Sequence, residues 1–546
     1  MKKLIFTLFI ASIFSLSTAY AGALTGDTTT GLNLKAKAKL ELAKQKMYSG
    51  KMIQALTMFK EIVYENPKNG TALYCAGDCS YKLGQIDDAL KFLQDGKASA
   101  NPKPQNFYLL GMIYLSNDKV DEALTEFTTY KSKATDADIK EHDPDVYISQ
   151  ANNAKKMEAS PVPVKVENMG QRINSKYDDK GPAITADGKK LFFNTRRPED
   201  KDSPIDVEGD GKYFEHIYVS AWDSVTQQWN TADEIPGNIN QKASHVACTG
   251  ISADGKQIFL YKNDMTNPEA RGGDIFVSKV LNNKWKTPEP LGKPINTSYW
   301  EGGACISPNG NTLYFTSERK GGFGNSDIWM AKRKSKTEWD VPVNLGADIN
   351  TAYDEAGLFL APDGKTLFFC SNGPNSMGSY DIFRTINENG KWSKPENLGY
   401  PINTVKRDGP FVLGANAQYA YISSDRLGGF GENDLYRVDL QDYAVLEKDF
   451  KRKADNTLSI IKGSVRDGFE GKVIEGAEIT FTNEAGEKVS ITTNETGENL
   501  ITLKGGATYQ VTVTKNGFKP TGDKVVLKLN KTGAAYTVEK QFLLSK

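Results

Sequence analysis

The sequence predicts three folds in succession: an α-helical solenoid, a β-propeller and a small β-sandwich. Three observations carry this. Between about residues 33 and 159 small and apolar residues recur every 34 positions, as in Ala55, Ala89 and Ala123 or Phe59, Leu93 and Phe127. From 163 to 440 a longer phrase returns five times at a period near 54. From 458 to 546 apolar and polar residues alternate. The first period suits stacked helix pairs, the second suits propeller blades built from short strands, and the alternation suits half-buried strands.

The chain has 546 residues, enough for three or four domains. Lys plus Arg equals Asp plus Glu at 68 each, and the resulting zero net charge argues against bulk nucleic-acid binding. Residues 1–21 read as a cleavable secretory signal, with Lys2 and Lys3, an apolar run from Leu4 to Leu16, and Ala19-Tyr20-Ala21 before the cut. No Cys adjoins that site and no later apolar run reaches membrane-spanning length. A periplasmic chain starting at Gly22 is expected, with association to the outer membrane as an option. The five cysteines have neither disulfide nor zinc spacing and read as small buried hydrophobes.

In the helical part, Ala43, Gly77 and Gly111 are also 34 apart, and Gly50 and Gly84 mark turns. The small residues let paired helices approach closely. Asp143-Pro144 predicts a further helix to about Lys156, the aspartate as cap and the proline in the first turn. The pattern resembles three tetratricopeptide repeats followed by a capping helix. That resemblance implies a peptide-binding groove lined by Leu40, Lys44 and Met47, then Tyr74, Asp78 and Tyr81, then Tyr108, Met112 and Leu115. Packing among the helices is the competing role for these side chains.

After the stiff linker Ser160–Pro163 each copy of the long phrase begins with a short run that ends on an Asn, at Asn174, Asn240, Asn296, Asn350 and Asn403. Four strands per blade follow. The a–b turn is Asp187-Gly188, Asp254-Gly255, Asn309-Gly310 or Asp363-Gly364, with Ala415-Asn416 in the fifth copy. Strand c begins at His216, Asp274, Asp327, Asp381 and Asp434, the aspartates expected to accept loop N–H bonds. The fifth copy lacks its last strand, and Val164–Gly170 has that pattern without a blade of its own. Five blades closed by this segment are expected, six being the alternative count. The wording of Ser252–Leu260 and Leu360–Ser371 resembles PD40, or TolB-like, propeller repeats of bacterial envelope proteins. The last 90 residues, with Ile474-Glu475-Gly476-Ala477 and Tyr509 to Phe518, resemble the carboxypeptidase regulatory-like domain, which implies a transthyretin-like accessory fold.

Catalytic signatures are missing. The three histidines are scattered, and no nucleophile elbow, zinc-protease motif or P-loop is present. The loops Gly321–Gly324 and Gly428–Gly431 join strands and read as tight loops. No enzyme, no cofactor and no metal is the expectation. An acidic loop, Asp206, Glu208 and Asp210, is the weak Ca2+ candidate, without EF-hand order. The d–a and b–c loops emerge on one side of a propeller and carry the candidate binding face: Tyr177, Asp179, Tyr299, Trp300, Glu301, Arg319, Tyr353, Glu355, Asp408 and Arg426.

The domain order resembles Bacteroidetes-type envelope proteins of the PorE-like family, associated with type IX secretion. An OmpA-like domain usually follows there, and peptidoglycan anchoring is not carried over because Lys546 follows the last strand. The resemblance implies a non-enzymatic scaffold binding envelope proteins or peptide segments. A carbohydrate or peptidoglycan-fragment binder is the alternative, and a propeller hydrolase the third reading.

Overall fold

The computed structural model describes residues 34–207, 211–262, 273–281, 284–335, 337–446, 458–494, 496–529 and 535–546. The signal at 1–21, Glu208 and Asp210 of the acidic loop, and the charged run 448–453 lie outside the described residues. Two compact units are present: Met1–Ala159 with Pro374–Gly378, and Ser160–Gly373 with Ser379–Lys546. No helix among the described residues is long and apolar enough to cross a membrane.

The first unit holds eight helices among the described residues: α1 (Leu34–Tyr48), α2 (Met52–Glu65), α3 (Gly70–Lys82), α4 (Ile86–Lys97), α5 (Pro104–Leu115), α6 (Val120–Lys133), α7 (Asp136–His142) and α8 (Pro144–Glu158). The 34-residue period has a backbone cause. Gly50, Gly84 and Asp118 each take positive φ (77°, 73° and 59°). At each of these turns the next N–H returns five residues, Lys51 to Lys46, Gln85 to Ser80 and Lys119 to Tyr114, at 2.8–2.9 Å. Small residues set the helix spacing. A Cβ on Gly77 would lie 2.7 Å from Leu93, and one on Gly111 2.6 Å from Phe127.

One local expectation is corrected. Pro144 starts α8 in its first turn, but Asp143 makes no side-chain cap bond and sits at φ 38°. The reason is α7, which the periodicity did not reveal and which ends on the same residue. Thr135 and Asp138 start α7 with a reciprocal capping box.

In the second unit five antiparallel sheets follow one another among the described residues, the first four running in chain order. Their first strands are Asp179–Ile184, Ala247–Ile251, Glu301–Ile306, Glu355–Leu360 and Val412–Leu413. Each sheet buries one face on the next. Phe192 and Ile217 meet Cys248 and Phe276, Phe259 and Ile275 meet Ala304 and Phe315, and Cys305 and Tyr314 meet Phe369 and Phe383. Phe368 and Ile382 then meet Phe411 and Ile422, and Val412 and Leu435 return to Ile184 and Phe193 of the first sheet. The fifth sheet takes its outer strand from before the first: Lys165–Asn168 pairs antiparallel with Tyr436–Asp439. The pairing expected of Val164–Gly170 is therefore present. All five cysteines are free and buried, and burial pushes Cys248, Cys305 and Cys370 up to about 12.

The turn glycines Gly188, Gly255, Gly310 and Gly364 share φ of 70–73°. In the fifth sheet, where that Gly is missing, Ala417 takes φ 49° instead.

Among the described residues from Leu458 onward, seven strands form a three-stranded and a four-stranded sheet around a core that includes Ile479, Phe481, Val511, Val513 and Phe542. This sandwich-like domain docks on the a–b turns of the preceding sheets. Leu458 N–H donates to Ala415 O at 3.0 Å and Ala535 N–H to Asp187 O at 3.3 Å. Lys256 pairs with Glu498 at 2.5 Å, the Thr502 hydroxyl donates to Pro362 O, and Ile460, Leu500 and Ala535 pack on Ala186 and Ala415. Those turns are thereby in part covered, and the d–a and b–c loops lie at the other ends of the strands.

Candidate functional site

The repeated polar residues of these loops are occupied by the chain itself. Each phrase Asn straddles one residue of strand c: its Oδ1 accepts that residue's N–H and its Nδ2 donates to the same residue's carbonyl. Asn174 holds Leu435 (2.8 and 2.9 Å), Asn240 holds Ile217 (3.0 Å both) and Asn296 holds Ile275 (3.0 Å both). Asn350 holds Ile328 (2.7 and 3.1 Å) and Asn403 holds Ile382 (2.8 and 2.9 Å). Only an amide offers donor and acceptor in this fixed spacing, which explains the invariance within the repeat.

Four predicted face acids form a second repeated brace. Asp179, Glu301, Glu355 and Asp408 are at most 1% exposed. Each accepts the N–H and hydroxyl of the Ser or Thr four residues earlier, Ser175, Thr297, Thr351 or Thr404. Arginines complete three braces: Arg197 reaches Asp179 at 2.6 Å, Arg319 reaches Glu301 at 3.3 Å, and Arg426 reaches Asp408 at 2.6 Å. Arg426 also donates to the Pro401 and Ile402 carbonyls, and Arg319 to those of Pro294 and Ile295. These charges lock the d–a loop to the b–c loop. The fourth sheet has Gly373 in the arginine's place, and burial pushes Glu355 up to about 7.

Two of the four strand-c aspartates act as expected: Asp327 accepts from Phe323 N–H, and Asp434 from Phe430 and Gly431 N–H, whereas Asp381 accepts from Asn397 Nδ2 at 2.6 Å. The glycine-rich loops are tight because they abut backbone. A Cβ on Gly324 would lie 2.2 Å from Tyr353 O, and one on Gly431 2.0 Å from Tyr177 O.

The residues beside each brace vary from sheet to sheet, with Asp recurring at one position only, as Asp178 and Asp354. Asp178, Trp300, Asp354 and Arg407 precede the acids, His245 precedes Val246 at that place in the second sheet, and Arg196, Glu318, Asn372 and Asp425 precede the arginines or Gly373. They feel one another round all five sheets. Arg407 feels Asp425 and Asp178, His245 feels Arg196 and Glu215, Tyr261 feels Trp300 and Glu318, Glu318 feels Asp354, and Tyr380 feels Asp354 and Arg407. Specific contacts tie this circuit: Lys180–Asp178 at 2.6 Å, Asn433–Asp178 at 2.8 Å, Asn372–Asp354 at 2.9 Å, and Arg407 over the Tyr380 ring at 4.8 Å. Burial raises Glu318 and Asp425. Burial opposes charge on Asp178 too, but Lys180 and Asn433 outweigh it and hold Asp178 below its usual range.

Of the predicted face aromatics, Tyr299 is exposed at 36%, while Tyr177, Trp300 and Tyr353 are half-buried. Trp300 lies over Gly302, where a Cβ would come within 2.0 Å of the ring, and 6.1 Å from Tyr261. Tyr177 meets Tyr213 edge-on at 5.7 Å. Of the circuit, Trp300 was among the predicted face residues; periodicity could not find the rest as a set, since residue type at these positions varies, and the position next to each repeated acid was the available signal. Asp206 of the acidic loop lies 3.3 Å from His245 Nε2.

The helical candidates divide differently. Lys44, Met47 and Asp78 are buried, with Lys44 3.0 Å from Glu41 and Asp78 2.8 Å from Lys82. Tyr74, Tyr81, Tyr108 and Met112 are half-buried. Tyr108 stacks on His142 at 4.4 Å and its hydroxyl lies 3.2 Å from that of Tyr147, so α7 and α8 cover the third repeat's share of the groove.

The carboxypeptidase regulatory-like domain family matches residues 460–539, the sandwich-like domain. No curated protein matches the chain. Among solved structures, the helices are similar to the Yersinia enterocolitica type III secretion chaperone SycD in complex with a peptide of the translocator YopD, at 17% identity over 23% of this chain and 97% of that one, TM-score 0.22. They are also similar to the P58(IPK) TPR domain, at 24% identity and TM-score 0.22, where the match spans 34% of that chain and 23% of this one. A Lactobacillus brevis alpha-L-arabinofuranosidase matches half of this chain and 92% of its own, at 13% identity and TM-score 0.32. At these TM-scores none of the three bears on activity or partners. What is established by family is the C-terminal module: residues 460–539 are a carboxypeptidase regulatory-like domain.

Proposed function

We propose that the chain is a non-enzymatic, exported periplasmic scaffold of the cell envelope. It holds partner proteins or peptide segments on the loop face of a five-bladed β-propeller and on the tetratricopeptide-like helices. A link to type IX secretion or outer-membrane assembly follows from the resemblance to PorE-like proteins. The observation that carries the reading is the division of labour in the loops. Repeated asparagines grip all five sheets, and repeated acids and arginines brace four and three of them, while the adjacent residues form one circuit of both charge signs with Tyr261, Trp300 and Tyr380. A face so mixed in chemistry suits recognition of a folded or peptide partner. The sandwich-like domain, seated on the a–b turns, supports use of the opposite loops.

The experiment is capture from envelope extract by the purified chain. Recovery of defined outer-membrane or secretion proteins is the expected result. Retention on purified sacculi without any protein partner would replace it by the glycan-binding reading, which the Tyr261–Trp300 pair beside Glu318 favours.

A further inference from the structure

The internal repeat supplies its own control for one departure in the first sheet. Opposite the second residue after the start of strand c, strand d places Asn344, Asn397 and Asn168 in the third, fourth and fifth sheets. In the fourth and fifth the strand-d Asn works with the strand-c aspartate: Asn397 Nδ2 donates to Asp381 at 2.6 Å and Asn168 Nδ2 to Asp434 at 2.7 Å. In the first sheet both members change. His216 replaces the aspartate and Glu234 the asparagine, with Glu234 opposite Tyr218 in the same register. The b–c loop adds Glu199, whose Oε1 lies 3.0 Å from His216 Nδ1. The ligand atoms of Glu199, His216 and Glu234 all lie within 4.8 Å of one another, the one such His and carboxylate group among the described residues.

The imidazole is oriented as a ligand. His216 is 5% exposed, and its Nε2 lies 3.0 Å from Gln241 O. A carbonyl can only accept, so Nε2 carries the proton. A neutral ring then turns its Nδ1 lone pair toward the Glu199 carboxylate, and a cation must stand between them: a second proton or a metal ion. A ring N–H fixed by a backbone carbonyl is the usual support of a metal-bound histidine. Asn240 Nδ2 holds Glu234 by Oε1 at 2.9 Å and leaves its other oxygen for a ligand bond.

We propose that Glu199, His216 Nδ1 and Glu234 bind a divalent transition-metal ion of the Zn2+ class. One imidazole and two carboxylates suit such an ion, with water completing the shell. With bonds of about 2.0–2.1 Å, ligand atoms in a tetrahedral site stand about 3.3 Å apart. Glu199 and Glu234 are the exposed members of the group and reach that spacing by side-chain rotation. The ion ties the long first b–c loop to strands c and d, at the edge of the face described above.

The test is calorimetric titration of chelator-stripped full-length chain with Zn2+ alone, with thermal melts in parallel. The decisive variant restores the repeat: His216→Asp with Glu234→Asn reinstates the Asp–Asn pair, so it retains the metal-free melting temperature. The wild type is expected to bind one Zn2+ equivalent that this variant loses, with a metal-dependent rise in melting temperature confined to the wild type. Glu199→Gln should weaken binding at least tenfold. Equal Zn2+ stoichiometry in wild type and double variant would overturn the proposal. So would an absence of binding in the wild type, which would make the pair an imidazolium–carboxylate contact.

Discussion

Glu301 and Glu355 stand at the same place in successive sheets, yet their charges have different fates. Both lack exposed surface, and both accept the N–H and hydroxyl of a threonine four residues earlier. Arg319 stands beside the first, its guanidinium 4.8 Å above the Phe315 ring. Beside the second is Gly373, and burial lifts that carboxyl to about 7. The backbone device recurs in four of the five sheets while the charge balance does not. Repetition in this chain marks bracing; departure from it marks where one sheet can differ in pH response or ligand.

The largest expected effect breaks the balanced brace. Glu301→Gln leaves Arg319 buried without its counter-charge, a loss of about 3–5 kcal/mol, toward the lower end because the Pro294 and Ile295 carbonyls still accept from the guanidinium. Denaturant melts at pH 7 measure it.

Glu355→Gln should act in the opposite direction. A carboxyl whose folded-state value is raised favours the folded chain fully below its unfolded value near 4.5, and that contribution is lost as pH rises through about 7. Above pH 7 the wild type thus carries a burial cost of up to about 3 kcal/mol, because each tenfold change in proton affinity is worth about 1.4 kcal/mol. The glutamine variant should gain stability at pH 8, gain little at pH 5, and flatten the profile between them. A profile unchanged from wild type would mean that Glu355 keeps its ordinary value.

A smaller effect compares the helical turns. Asp118 sits at φ 59° where the two earlier repeats have glycine. Asp118→Gly should stabilise the helical unit by about 0.5–1 kcal/mol, and Gly84→Ala should destabilise it by about 1 kcal/mol. Paired thermal melts check both signs.

Much of this fold was legible because its causes repeat. The 34-residue period follows from turns needing positive φ and from glycines facing Leu93 and Phe127, and the period near 54 from asparagines gripping strand c. The outer strand of the fifth sheet was legible because a strand pattern before the first sheet had no copy of the repeat to join. What escaped the sequence was non-periodic. Helix α7 depends on one local capping box, and the interior placement of Asp179, Glu301 and Asp408 depends on arginines arriving from another loop. Charge in a loop reads as solvent-facing until a partner in space is known. The same blindness hid Glu199, His216 and Glu234, which strand register and the b–c loop bring together.

The central claim, that recognition resides in side chains set beside the braces rather than in the braces, is tested most directly by one paired measurement. Tyr299, Trp300 and Tyr353 are replaced together by Ala, and partner capture and melting temperature are read on the same preparation. Central interface aromatics are worth about 2 kcal/mol or more, close to a 30-fold loss of affinity. Removal of core aromatics instead costs about 3–5 kcal/mol of folding stability. Capture weakened at least 30-fold with a nearly unchanged melting temperature is the predicted result; unaltered capture, or a loss that merely tracks a collapse in melting temperature, would contradict it.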